Sequence, residues 1–160
     1  QVRALTAKVL EKLREETPPE GYGERGETTM LLETAKVLLK AMEEQACRGG
    51  VPMALAVADG NGSLVAFLRQ ENVLPVSVDL ARKKAFTATQ LKMSTADLAP
   101  LVQPGGMLFG LQHERDLVVF GGGIPLWEGD QLVGAVGVSG GSVEEDVAVA
   151  QAAVEAWKKR

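Results

Sequence analysis

The chain is expected to fold as an α+β protein whose sheet is mostly antiparallel and flanked by helices. Three observations carry this expectation. Two short apolar segments, "PMALAVAD" (52–59) and "SLVAFLRQ" (63–70), flank the turn "DGNG" (59–62), whose spacing and chemistry suit a hairpin. A second pair, "IPLWEGD" (124–130) and "QLVGAVGV" (131–138), meets at Glu128-Gly129-Asp130. Helical patterns stand before, between and after these pairs, with few crossover units, so a doubly wound parallel sheet is disfavoured.

Residues 1–16, "QVRALTAKVLEKLREE", read as a short amphipathic helix with Val2, Leu5, Val9 and Leu13 on one stripe. Such a helix is marginal alone in water and needs a partner for its stripe. Two prolines and three glycines then make 17–27 a linker. The main domain is expected over 28–160. Its first helix places Leu31, Ala35, Leu38, Met42 and Ala46 on one face; Thr28 or Thr29 would cap it, and Gly49-Gly50 would end it. After the first hairpin, a helix from about Pro75 carries the stripe Leu74, Val78, Ala81, Ala85 and Ala88, small enough for close approach to a sheet. Residues 95–101 add a helical turn, and 103–116 is the least patterned part of the domain. "DLVVF" (116–120) reads as a strand, followed by the second hairpin. The last helix starts at Ser142, where Ser142 and Glu145 fit a capping box; Val143, Val147, Ala150, Val154 and Trp157 form its expected inner stripe.

Composition narrows the chemistry. The net charge of the 160 residues is -4, which gives no footprint for nucleic acid, and no apolar run approaches the roughly 20 residues of a membrane span. The single cysteine, Cys47, allows no internal disulfide and sits near a helix C-terminus, a poor place to activate a thiolate. A cytoplasmic setting is therefore expected. One histidine, His113, cannot build a multi-histidine zinc site.

Gly137-Val138-Ser139-Gly140-Gly141 matches the G-x-S-x-G pattern of a nucleophile elbow. Its would-be base, His113, precedes it by 26 positions, and an antiparallel sheet offers no parallel strand-to-helix corner to display the serine, so no catalytic residue is assigned. Gly140 and Gly141 precede a helix N-terminus whose amides could face a ligand, although Glu144, Glu145 and Asp146 in the first turn would repel an anion and suit the helix dipole. His113 is either a loop histidine on a polar surface or a haem-iron ligand, with Met107, Leu108, Phe109 and Leu111 upstream as an apolar wall. Arg82-Lys83-Lys84 reads as a solvated basic face, except that Lys84 lies nearer the buried stripe and could reach a carboxylate in a cleft.

Several blocks together resemble the GlcG/HbpS family, which includes the C-terminal domain of PduO proteins and is often labelled haem-degrading or haem-binding. They are "MALAVADGNGSLVAFLRQ", "ARKKAFTA", "GGGIPLWEGDQLVGAVGVSGG" and the acidic "EED" before an Ala-rich helix, and the resemblance covers about residues 30–157. It implies a profilin-like fold with about five antiparallel strands, self-association into a homo-oligomer, and haem or a related tetrapyrrole as ligand, with cobalamin metabolism as context. It does not extend to the adenosyltransferase domain of PduO proteins. The family's "KA-x-TA" lysine matches Lys84, and where the family often has "RMDGA"-like residues this chain has Arg69-Gln70-Glu71-Asn72-Val73. Arg69 and Lys84 are then the expected polar groups of the pocket, beside His113, Gly140 and Gly141.

The resemblance also gives the N-terminal stretch a meaning. A short amphipathic helix on a Pro/Gly-rich linker resembles the encapsulation peptides of bacterial microcompartment cargo, with residues 1–16 docking on a shell protein and the lumen as location. Packing on its own domain or a neighbouring subunit is the alternative. The leading expectation is an oligomeric cofactor-binding protein. The competing classes are an enzyme acting on a small carboxylate-bearing substrate between subunits, and a ligand-free structural module.

Overall fold

The structure is a computed structural model that describes residues 29–160. The expected helix at 1–16, the linker at 17–27 and Thr28 lie outside the described residues. The element order is α1 (Leu32–Gly49), β1 (Ala54–Asp59), β2 (Leu64–Arg69), α2 (Val76–Leu91), α3 (Thr95–Leu101), a 3-10 turn (Leu111–His113), β3 (Gly123–Glu128), β4 (Gln131–Ser139) and α4 (Val143–Lys158). The four strands form one sheet in the order β2-β1-β4-β3, and every neighbouring pair is antiparallel.

Strand alternation sorts the side chains onto two faces. Leu55 and Val57 of β1, with Val136 and Val138 of β4, point into a large core shared with Leu38 and Met42 of α1 and Ala150, Ala153 and Trp157 of α4. Ala54, Ala56 and Ala58 point the other way, against Ala81, Ala85 and Ala88 of α2. Three layers result, with α1 and α4 on one side of the sheet and α2 on the other. The alanine-rich side lets α2 lie very close to β4. A Cβ added at Gly137 would fall onto the Ala81 carbonyl and the Ala85 amide.

Both hairpins form where the turn chemistry places them. Asp59 Oδ1 accepts from the Asn61 and Ser63 amides, closing the first turn, and Gly129 supplies φ +57 in the second. The capping box of α4 is complete: Ser142 Oγ accepts from the Glu145 amide, and Glu145 Oε2 accepts from the Ser142 amide. The Trp157 indole donates to the Trp127 carbonyl, tying the end of α4 to β3.

Four expectations need correction. The sheet has four strands, not about five: 116–120 runs as an irregular connection, because the Val118 amide donates to Thr87 Oγ1 on α2 instead of to a ladder partner. Thr29 does not cap α1; Met30 is buried in the main core, and the helix starts after it with Leu31 at the N-cap and no side-chain cap. Leu31, Leu74, Val78 and Val143, expected on inner stripes, are exposed. The buried faces of α2 and α4 are rotated to include Lys84 and Asp146.

Candidate functional site

Lys84 sits on the inner face of α2 with no solvent exposure, and Asp146, in the first turn of α4, is 3% exposed. Lys84 Nζ donates to Asp146 Oδ2 at 2.7 Å and to the Val138 carbonyl at 2.8 Å, and lies 5.0 Å from the centre of the Phe120 ring. Asp146 Oδ1 accepts from the Gly141 amide at 2.9 Å. One buried ion pair therefore joins α2, the end of β4, the glycine turn and α4. Burial pushes the Lys84 ammonium below its ordinary value against the pull of Asp146. Burial likewise pushes the Asp146 carboxyl up, against the hydrogen bonds from Lys84 and Gly141.

The glycine-rich connection 121–123 is shaped by the same pair. Gly122 has φ +128, and a Cβ there would meet the Val138 carbonyl first, at 2.5 Å, and Lys84 Nζ at 2.9 Å, so this crossing favours glycine. Its carbonyl accepts from the Val138 amide, and the Gly123 amide donates to Thr95 Oγ1.

The geometry separates the sequence-predicted residues. Lys84 and Gly141 come together, with Asp146 between them. The carboxylate that Lys84 reaches is the protein's own, in the interior instead of a cleft. Of the two glycines expected to face a ligand, Gly141 gives its amide to Asp146, and the next amide along, that of Ser142, goes to Glu145 in the capping box. Ser139 is buried at the end of β4, opposite Ala54. His113 is exposed at the end of the 3-10 turn, on a loop that also exposes Met107 and Phe109. Arg69 is exposed at the far end of the edge strand β2. Gln70 beside it is locked inward: its Oε1 accepts from the Met53 amide at 2.8 Å, and its Nε2 reaches Cys47 Sγ at 3.5 Å. Among the described residues, no three His, Cys, Asp or Glu side chains gather to hold a metal ion, and no helix is long and apolar enough to cross a membrane.

A cleft lies elsewhere, between the first hairpin turn and α2. It encloses about 460 Å³ and is lined by Gly62, Ser63, Leu64, Arg82, Lys83, Phe86 and Asp116. Such a volume is within the ~300–1,000 Å³ of small-molecule clefts. Asp79 bridges its two cations, 2.7 Å from Arg82 and 2.9 Å from Lys83, and Lys83 Nζ also donates to the Arg115 carbonyl. The hydrogen bonds from Lys83 and Arg82 hold the Asp79 carboxyl below its ordinary value. The His113 loop thus forms one wall, since Arg115 and Asp116 follow His113 by two and three residues. Arg69, five residues along β2 from Leu64, is about 16 Å away along the strand. Arg82 and Lys83, read from the sequence as part of a solvated basic face, line this cleft together with Phe86, which the sequence reading did not single out.

A family model described as haem degrading protein, HbpS-like, matches residues 30–155. The chain belongs to this family. It is 36% identical over 133 residues to an uncharacterised 15.0 kDa protein of the dhaT-dhaS intergenic region of Citrobacter freundii, covering 82% of this chain and 94% of that one. It is 41% identical over 121 residues to the corrinoid adenosyltransferase PduO of Salmonella typhimurium strain LT2, covering 74% of this chain but only 36% of that enzyme. Among solved structures, a PduOC complex with haem matches this HbpS-like chain with a TM-score of 0.77 and 38% identity, over 80% of this chain and 94% of that one.

Proposed function

We propose that this HbpS-like chain binds haem or a related tetrapyrrole as a homo-oligomer, with His113 as the axial ligand to haem iron. The observation that carries the reading is its likeness to PduOC solved with haem, over most of both chains. The donor chemistry fits: an exposed imidazole is an ordinary haem ligand, and it stands on a loop beside exposed Met107 and Phe109. Apolar side chains exposed on other elements, Leu31, Leu32 and Val37 near the start of α1 and Leu74 and Val76 at the start of α2, are the surface from which an oligomer would be built. Cobalamin is the second ligand to test, on the strength of the corrinoid relative.

Titrating haem into the intact oligomer is expected to give a saturable Soret shift, and His113→Ala is expected to remove the histidine-ligated spectrum. Saturable binding with an unchanged spectrum in His113→Ala would reject His113 as ligand and keep the binder. No spectral change with haem or cobalamin would reject the binder and favour an enzyme or a structural module.

The stripe Val2, Leu5, Val9 and Leu13 further supports a role as microcompartment cargo, with residues 1–16 docking on a shell protein. Deleting residues 1–27 is expected to abolish co-purification with shells; unchanged co-purification would sink this part of the reading.

A further inference from the structure

We propose that the cleft between the first hairpin and α2 is a carboxylate-anchoring subsite, in which Arg82 and Lys83 hold the acidic side chains of a flat apolar ligand against Leu64 and Phe86. The inference rests on the tetrapyrrole reading and assigns to it residues on α2 that neither Lys84 nor Arg69 supplies.

Four observations lead to it. First, Arg82 and Lys83 already converge on one carboxylate, that of Asp79, at 2.7 and 2.9 Å. Their side chains are therefore oriented as a two-cation fork by a resident acid. Second, the fork has donors to spare. A guanidinium carries five N–H groups and an ammonium three, and the contacts to Asp79 and the Arg115 carbonyl leave several free. Third, the lining combines two cations and one acid, Asp116, with Leu64, which is 46% exposed, and Phe86. Cationic donors beside an apolar wall suit an amphiphilic aromatic acid, which would share them with Asp79, better than a free inorganic anion, which would leave the wall unused. Fourth, the cleft and His113 are joined by the same loop. Lys83 Nζ donates to the Arg115 carbonyl at 3.3 Å, and the two residues from His113 to Arg115 span at most about 7 Å, so an acid held at Lys83 and an iron held at His113 lie within reach of one ligand of tetrapyrrole size.

The geometry also sets the division of labour. Arg82 and Lys83 would contribute binding through charge-assisted hydrogen bonds, which are the stronger kind. Neither would touch the metal, so their loss should weaken affinity while leaving the ligand spectrum of the bound state intact.

The test compares iron protoporphyrin IX with its dimethyl ester, which lacks the free acids, on the full chain and on Arg82→Gln/Lys83→Gln. The wild type is expected to bind the free acid at least roughly tenfold more tightly than the ester, a difference of about 1.4 kcal/mol. The double variant is expected to bind both forms alike, with the Soret position of the bound haem unchanged. Arg82→Gln alone, at a side chain 56% exposed, should lose part of the preference and serves if the double variant does not fold. Equal binding of acid and ester by the wild type overturns the anchor and leaves the tetrapyrrole reading standing. A preference that survives in both variants places the acids elsewhere and also overturns it. Failure of both forms to bind the wild type overturns the tetrapyrrole reading, and the anchor with it.

Discussion

Replacing Asp146 by alanine is expected to destabilise the fold by about 3–5 kcal/mol, because it strands a buried ammonium. Lys84 would keep the Val138 carbonyl and the Phe120 ring but lose its counter-charge, and the Gly141 amide would lose its acceptor. Lys84→Met should be similarly costly, leaving a buried carboxylate with the Gly141 amide as its remaining partner. The double variant Lys84→Met/Asp146→Leu should recover most of the loss. Apolar replacement of a whole buried pair is often neutral or stabilising, since two desolvation penalties disappear together. The signature is therefore non-additivity: two severe single variants and a mild double one. Urea unfolding at neutral pH reads it as midpoint shifts at constant slope. Single variants within about 0.5 kcal/mol of wild type would show that the pair does not pin α2 to α4.

That pair also marks the limit of what the sequence discloses. The hairpin at Asp59–Gly62, the turn at Gly129 and the box of Ser142 and Glu145 are all encoded within a few residues, and each forms as expected. Lys84 and Asp146 are 62 positions apart, and no local rule joins them. A trace was nevertheless present: Lys84 lies between Ala81 and Ala88 at helical spacing, and Asp146 precedes Val149, Ala150 and Ala153 in the same way. Reading a charged residue inside a small-residue stripe as paired and buried would have predicted a partner. The segment "DLVVF" failed for a related reason. Its composition suits a strand, but Thr87 claims the Val118 amide, and that competition exists only once α2 is in place. The candidate cleft was hidden because Arg82 and Lys83 look like any solvated basic run until the hairpin turn and Asp116 are set opposite them.

Gly137→Ala is the second substitution with a large expected effect, about 1–3 kcal/mol or more from overpacking. The added methyl would meet the Ala81 carbonyl and the Ala85 amide, which belong to helix backbone and cannot swing aside as a side chain could. Relief requires α2 to lift from β4, and that movement would pull Lys84 from Asp146 and Val138, so packing and electrostatic losses should compound. Gly49→Ala is the matched control. Gly49 is the last residue of α1, a Cβ there meets nothing within 4 Å, and its φ is not positive. This change should stabilise by about 0.4–1 kcal/mol, chiefly by reducing the conformational entropy of the unfolded chain. Thermal melts of the two variants should thus move in opposite directions for the same added methyl. If Gly137→Ala melts with the wild type, the contact between α2 and β4 is looser than the alanine-rich face implies, and the pinning of Lys84 cannot depend on it.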